Sequence, residues 1–354
     1  MKIWHLNLTR ARLRVDGIGA AVRRLAQAQE DTGADVSVYG GGPATLEVLR
    51  GRLASPAGRP DVVHFHSVFR PLHALAAGRL RRMGVPYVVS PHSGYARESL
   101  DRRRVLKSAY AIAVERAFLQ RAAGASCLTE LERADLAAFA PRLAGLAAVI
   151  PNPVGPLAVP RDAAGPGRDR ALVVTLCRYD VRQKGLDRLA GIARHCPDAD
   201  FAVYGEQDKN GRALTDRLRR TSPPNFSLCP PVFGLAKARV LGSADLFALT
   251  SRWEGLSMSL AEAMSAAVPC AVSTSVGCAL PFAAGGLGLV LDDDPARAAR
   301  QVEEALADPG RLEAWGRAGA GYAARTFDPQ VVGARSLELY RSVLAPVGMG
   351  AGRR

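Results

Sequence analysis

Short apolar runs recur along the chain and alternate with segments of helix length. The first six are IWHLNL (3–8), VSVY (36–39), VVHF (62–65), YVVS (87–90), ASCLT (125–129) and AAVI (147–150). After a break come ALVVTLC (171–177), FAVYG (201–205), NFSLC (225–229), DLFALT (245–250), PCAV (269–272) and GLVL (288–291). Runs this apolar imply burial on both faces, as in parallel strands covered by helices. The alternation predicts an α/β fold of doubly wound parallel sheets.

The break, PNPVGPLAVPRDAAGPGRDR (151–170), holds five Pro and three Gly and no periodic apolar pattern. It reads as an interdomain linker. At ~150 residues per domain, 354 residues suggest two domains. The expectation is a Rossmann-like domain over 1–155 and a second over 165–327. A last helix over about 328–346 can pack back on the first domain. Asp328 is its expected N-cap, Pro329 its first residue, and Leu337, Tyr340 and Leu344 its apolar stripe.

Composition narrows the class. An apolar fraction of 48% supports a real core. None of the six cysteines forms a C-x-x-C pair, and most lie in apolar runs, so free buried thiols in a reducing compartment are expected. No secretory leader pattern is visible at the N-terminal run. Ala263–Leu291 is uncharged, but Pro269, Pro281 and four glycines interrupt it, so no apolar helix of ~20 residues fits. A cytoplasmic protein is expected, with peripheral contact at the inner membrane face left open. The net charge of +14 is uneven: residues 1–155 carry 22 Lys/Arg against 12 Asp/Glu. That excess suggests a phospholipid surface, an anionic acceptor or nucleic acid, with a solvated surface as the plain alternative. In RESLDRRRVLKSAYAIAVERAFLQR (97–121), Arg102, Arg103, Arg104 and Lys107 crowd one end of an expected helix. Nucleic acid is disfavoured, because aromatic–basic interleaving and recognised binding motifs are lacking. A nicotinamide-dependent dehydrogenase is disfavoured too, since no G-x-G-x-x-G follows the first strand.

Two segments carry candidate chemistry. In TLCRYDVRQKGLDRL (175–189), a strand ends at Cys177, Arg178 follows, and Lys184 comes five residues beyond it. Two cations at a strand's carboxyl edge suit a diphosphate leaving group. In DLFALTSRWEGLSMSLAEAMSAAVPCAVSTSVG (245–277), a strand runs to Thr250 and a helix is expected from about Leu256 to Ala266. Glu254 falls in the loop and Glu262 in the helix. Both can point beyond the strand's carboxyl end, where open α/β sheets bind ligands. The helix N-terminus near Gly255–Ser257 offers backbone N–H groups to a phosphate or a sugar hydroxyl. Asp292–Asp294 reads as a loop and N-cap, and no metal-ligand cluster is expected. His64 and His66 alternate on one strand and read more as satisfied core histidines than as site residues. His92, after Pro91 at a strand end, is expected to overhang the ligand site.

The pair R-x5-K plus E-x7-E, in this order and separation, resembles glycosyltransferase family 4, which has the two-Rossmann-domain GT-B fold. NFSLCPPVFGLAKARVLGSADLFALTSRWEGLSMSLAEAMSAAVP (225–269) resembles the family's nucleotide-binding stretch, and IPNPV (150–154) the end of its N-terminal domain. VVHFHS (62–67) and VVSPHSGY (88–95) resemble its N-terminal strands more loosely. The resemblance implies a retaining enzyme that moves a sugar from a UDP- or GDP-sugar to a hydroxyl of a glycan, lipid-linked or small-molecule acceptor. Polysaccharide or secondary-metabolite synthesis is the implied setting, with no metal and no other cofactor. It places Arg178 and Lys184 on the donor diphosphate, Glu262 on the ribose, Glu254 on the transferred sugar, and His92 beside that sugar. Val232, Gly255, Leu256 and Ser257 fall in the donor-binding region, and Gly17 and Gly19 resemble the glycine loop after the first strand. Ala267 stands where the family usually has glycine, Ser257 where proline or phenylalanine is common, and PHS where PHG is commoner. A nucleotide-sugar epimerase on the same fold is the alternative.

Overall fold

A computed structural model describes residues 1–7, 17–41, 51–101, 110, 114–155, 169–207, 211–277 and 279–345. The chain divides into two compact units. Unit 1 comprises Met1–Pro153 with Pro329–Arg354, and unit 2 comprises Val154–Asp328.

Unit 1 is built on six parallel strands: β1 (Lys2–Asn7), β2 (Asp35–Gly40), β3 (Val62–His66), β4 (Tyr87–Ser90), β5 (Gly124–Cys127) and β6 (Ala147–Val149). Their order is β2-β1-β3-β4-β5-β6. Unit 2 repeats the plan with β7 (Ala171–Leu176), β8 (Ala199–Tyr204), β9 (Phe226–Cys229), β10 (Leu246–Leu249), β11 (Cys270–Ser273) and β12 (Leu289–Leu291), ordered β12-β11-β10-β7-β8-β9. Each expected apolar run overlaps one of these strands. In each sheet the order reverses at the first strand, beside β3 in unit 1 and beside β10 in unit 2. Open α/β sheets bind ligands at such reversal points, at the carboxyl ends of the strands.

The helices are set by ordinary capping chemistry. Thr129 accepts the N–H of Glu132 at the start of Glu130–Phe139, and Asp294 accepts that of Arg297 ahead of Pro295–Leu306. Asp308 does the same for Arg311 before Pro309–Thr326. In the last two helices proline occupies the first turn, where no N–H is needed.

The two faces of the unit 1 sheet differ. Trp4, Leu6, Val63, Phe65, Tyr87 and Val89 form an apolar cluster on one face. On the other, Ile3, Val62 and Val88 pack against Val332 and Tyr340 of the helix Pro329–Leu344. Farther along β1, β3 and β4 that second face turns polar, with His5, His64, His66 and Ser90 all buried. Leu337 and Tyr340 belong to the buried stripe of the last helix, whereas Leu344 is 37% exposed and lies outside it.

The segment 97–121 is not described as one helix. Arg97–Asp101 and Arg116–Gln120 are helical, while Arg102, Arg103, Arg104 and Lys107 lie outside the described residues. Cys127, Cys177, Cys196, Cys229 and Cys270 are free thiols, and Cys278 lies outside the described residues. Among the described residues, no helix is long and apolar enough to cross a membrane.

Candidate active site

In unit 2 the chemistry gathers at the carboxyl ends of β7 and β10, which are hydrogen-bonded neighbours. Arg178 follows β7 and is half-buried, with Nη2 donating to Gln183 Oε1 at 3.5 Å. The chain then makes one helical turn, Val181–Lys184, capped by Asp180, and reaches Gly185. Gly185 is left-handed at φ +62, and a Cβ there would meet the Thr250 carbonyl oxygen at 2.0 Å. Only glycine lets the two loops approach this closely. Thr250 Oγ1 seals the contact by donating to the Lys184 and Gly185 carbonyls at 3.2 and 3.0 Å. Gly185 is thus the joint between two helices, Val181–Lys184 and Leu186–His195, and is the N-cap of the second.

The loop after β10 is tied to the same segment. The Arg252 N–H donates to the Gln183 carbonyl at 2.8 Å, and its guanidinium grips both Asp187 oxygens at 2.8 and 2.6 Å. Glu254 follows in a short parallel bridge with Val276. Its Oε2 pairs with Lys184 Nζ and accepts from Ser251 Oγ at 3.2 Å. Both partners of that ion pair are largely buried, at 11% and 14% side-chain exposure.

The following helix runs from Met258 to Ser265, so it begins two residues later than the sequence suggests, with Ser257 as N-cap. The Ser257 side chain does not cap it; its hydroxyl meets Ser259 Oγ at 3.0 Å. Ser259 Oγ in turn reaches the Leu176 carbonyl at 2.7 Å and locks the helix start over β7. Gly255, Leu256 and Ser257 are buried around this turn. Glu262, one turn in, is 4% exposed, and its Oε1 accepts from Lys237 Nζ at 2.7 Å. Lys237 comes from the helix Gly234–Gly242, just beyond the half-buried Val232. The sequence reading missed Lys237, Ser251 and Ser259. Lys237 comes from the helix after β9, so only the folded unit shows that it meets Glu262.

In unit 1 the candidates lie where β1, β3 and β4 end. Gly17 opens the helix Gly17–Glu30 and is exposed, while Gly19 is buried in its first turn. Residues 8–16, which precede it, lie outside the described residues. His92 is partly buried, and its backbone is left-handed, as is that of Ser93, at φ 50 and 60. Two successive non-glycine residues in that region store strain at a cost of ~1–2 kcal/mol each. Glu132 holds the turn, its carboxylate accepting the N–H groups of Ser93 and Leu128. Burial pushes the Glu132 carboxyl up to about 7 despite those two bonds. Glu115 braces the loop after β3, accepting from the Phe69 N–H at 3.1 Å and from the Tyr95 hydroxyl at 2.7 Å. The sequence reading missed both carboxylates. TELE (129–132) carries the Thr-x-x-Glu capping signature, but here the glutamate serves the neighbouring loop.

His66 and His64 are both buried, and every ring nitrogen of the pair has a partner. His5, which the sequence reading did not single out, joins them. Among the described residues, these three form the one group whose ligand atoms lie within 4.8 Å of one another. His66 Nδ1 reaches His92 Nε2 at 3.1 Å, so the buried group continues to the expected site residue.

Comparison with known proteins agrees with the fold. Residues 42–156 match the model for Glycosyltransferase Family 4, and residues 170–308 the model for Glycosyl transferases group 1. Among solved structures, sucrose-phosphate synthase from Thermosynechococcus elongatus aligns with a TM-score of 0.79 at 17% identity, covering 97% of this chain and 99% of that one. Anabaena HepE in complex with UDP and glucose aligns with a TM-score of 0.76 at 16% identity, covering 97% and 100%. WaaG, a glycosyltransferase involved in lipopolysaccharide biosynthesis, aligns with a TM-score of 0.70 at 17% identity, covering 96% and 99%. No curated protein sequence matches the chain.

Proposed function

Since the chain is a glycosyltransferase of the GT-B architecture, with the family 4 model in its first half and the group 1 model in its second, we propose that it transfers a sugar from a UDP- or GDP-sugar to an acceptor hydroxyl, with retention of configuration and without a metal ion. The acceptor is a glycan, a lipid-linked sugar or a small molecule.

One observation carries the reading. Lys184 and Glu254 leave different strands and meet at the reversal point of the unit 2 sheet. That point is where such sheets bind nucleotides. Arg178 and Lys184 neutralise the diphosphate there, and the N-terminus of Met258–Ser265 adds backbone N–H groups. Glu262 accepts from the ribose hydroxyls, and Glu254 from a hydroxyl of the transferred sugar. Val232, Gly255, Leu256 and Ser257 line the donor, and Gly17 and Gly19 take the part of the family's glycine loop toward its phosphates. His92 accepts from a sugar hydroxyl. As the bond from the anomeric carbon to the phosphate oxygen breaks, the acceptor oxygen bonds to the same face. The acceptor proton passes to the departing phosphate, so no protein nucleophile is required. The complex of Anabaena HepE with UDP and glucose supports the donor class by likeness of fold.

Titration calorimetry with UDP and GDP, followed by anomeric NMR of the product, tests the reading. Binding of one nucleotide and an unchanged anomer are expected. Binding of neither, or an inverted product, refutes it.

A further inference from the structure

The buried histidines of unit 1 sit in a hydrogen-bond network whose direction two backbone carbonyls determine. Each hydroxyl has one proton to give. Ser90 Oγ gives its proton to the Ser126 carbonyl at 2.9 Å. It can then only accept from His64 Nε2, 2.8 Å away. Neutral His64 therefore has a bare Nδ1, which accepts from the Tyr340 hydroxyl at 2.6 Å. Ser336 Oγ likewise gives its proton to the Gly333 carbonyl at 2.7 Å. The Ser336 and Tyr340 oxygens are both left as acceptors, and both face Gln29 Nε2, at 2.8 and 3.3 Å.

That fixes the Gln29 amide. Its nitrogen faces the helix Pro329–Leu344, and its oxygen faces His5 Nε2 at 2.8 Å. His5 must carry its proton on Nε2, so its bare Nδ1 accepts from His66 Nε2 at 2.8 Å. His66 in turn has a bare Nδ1 and accepts from His92 Nε2 at 3.1 Å. The chain requires neutral rings. Burial supplies that condition by lowering His5 and His92 to about 4 and holding His64 and His66 well below the usual histidine range.

We propose that Gln29, oriented by Ser336 and Tyr340, is a positioning residue that fixes the tautomer of His92 through His5 and His66. His92 keeps its proton on Nε2 and presents Nδ1 as a bare acceptor. The catalytic consequence rests on the proposed role of His92 beside the sugar, where an acceptor lone pair orients a hydroxyl and an N–H would not. The tautomer itself rests only on the network. It also gives the last helix a part in the site that no sequence motif discloses. Had Gln29 presented its amide nitrogen to His5, every proton in the row would shift and His92 would offer an N–H instead.

The experiment uses the full chain labelled with 15N-histidine. Long-range 1H–15N spectra at neutral pH separate the two tautomers of each ring, with His92 assigned by its loss in His92→Asn. Wild type should show single Nε2–H forms for His5, His66 and His92. Gln29→Met, which keeps the side-chain length but cannot accept, should give mixed tautomers at all three. Ser336→Ala removes one clamp with little volume change and should shift the same rings part of the way; it serves should Gln29→Met fold poorly. An Nδ1–H form of His92 in wild type, or an unchanged single tautomer in both variants, overturns the proposal. So does one bound zinc per chain whose removal moves the His5, His64 and His66 signals. In Gln29→Met, kcat should fall at least two-fold with the donor KM unchanged. Mixed tautomers with unchanged kcat would uphold the relay and remove His92 from the proposed chemistry, so the two readings fail separately.

Discussion

Lys184 and Glu254 are separated by 70 residues and form an ion pair at the carboxyl ends of adjacent strands. The pair satisfies a cation and a carboxylate that the proposed chemistry needs for different partners. A bound diphosphate would draw Lys184 toward its oxygens, leaving Glu254 to accept from the sugar. The pair thus keeps both groups ordered in place before the donor enters.

Removing either diphosphate cation should nearly abolish transfer. Charge grows on the leaving group as the glycosidic bond breaks, and preorganised donors stabilise it more in a dry site than in water. By comparison with lost oxyanion donors, Lys184→Ala and Arg178→Ala should each cost ~3–4 kcal/mol, or 100- to 1,000-fold in kcat. Transfer should also persist after exhaustive EDTA treatment. Near-normal turnover in Lys184→Ala, or activity that returns only with magnesium or manganese, contradicts this account.

Glu262→Ala and Glu254→Ala should separate nucleotide binding from transfer. Glu262 is assigned to the ribose, so its loss weakens UDP or GDP binding. Glu254 is assigned to the sugar, so its loss spares nucleotide affinity and lowers kcat. Calorimetry with the free nucleotide, beside initial rates with the full donor, measures the split. Equal losses of nucleotide affinity in both variants mean that the roles are wrongly divided.

Lys237→Met should destabilise unit 2 in the absence of nucleotide. It deprives the buried Glu262 carboxylate of a partner at 2.7 Å, and such a loss costs ~1–3 kcal/mol. A nucleotide at 100 times its dissociation constant should restore ~2.7 kcal/mol. Thermal melts with and without nucleotide check both effects. A wild-type melting temperature without nucleotide contradicts the structural role of the pair.

Acid should destabilise unit 1 at a pH above the range in which ordinary carboxylates protonate. The folded state holds His5 at about 4 and His73 at about 3, against about 6.5 when unfolded. Between those values the unfolded chain binds more protons. The stability these groups contribute is complete above pH 6.5 and is lost as pH falls toward 4. Each fully shifted histidine contributes ~1.4 kcal/mol per pH unit. Glu132 acts oppositely: raised to about 7, it contributes stability at low pH that is lost as pH rises through 7. Glu115 is raised by burial too, but two carboxylates against five lowered histidines, His5, His64, His66, His73 and His92, leave a net fall on acidification. Urea titrations from pH 7 to 4.5 should show it, with a shallower slope in His73→Leu. A flat profile would refute the neutral burial of these rings.

Ala267→Gly should stabilise the protein. Ala267 is left-handed at φ 55, which costs a Cβ-bearing residue ~1–2 kcal/mol. Glycine removes that cost but brings back ~0.4–1 kcal/mol of unfolded-chain entropy, so a net gain of ~0.5–1 kcal/mol is expected from denaturant curves. A loss of stability would show that the Ala267 side chain contributes packing that outweighs the strain.

The unit 2 residues were legible in the sequence because their signals are local. Arg178 and Lys184 follow one strand, and Glu254 and Glu262 bracket a helix start, so their place after predicted strands, with the family resemblance, proposes them. The twelve strands were legible for the same reason: parallel strands buried on both faces must be apolar throughout. Helix boundaries near Ser257 and Gly185 were less so, because a cap depends on where a hydroxyl or a neighbouring loop lands. The network behind His92 was not legible. His5, Gln29, His66 and Tyr340 are remote in sequence, and β1 and β3 must pair with His5 beside His64 to bring the histidines together. The sequence by itself determined which residues can carry charge and which segments must be buried. Tertiary structure alone decided which polar groups share a proton, because a hydrogen bond acts only within about 3 Å and only the packed sheet sets such distances between remote strands.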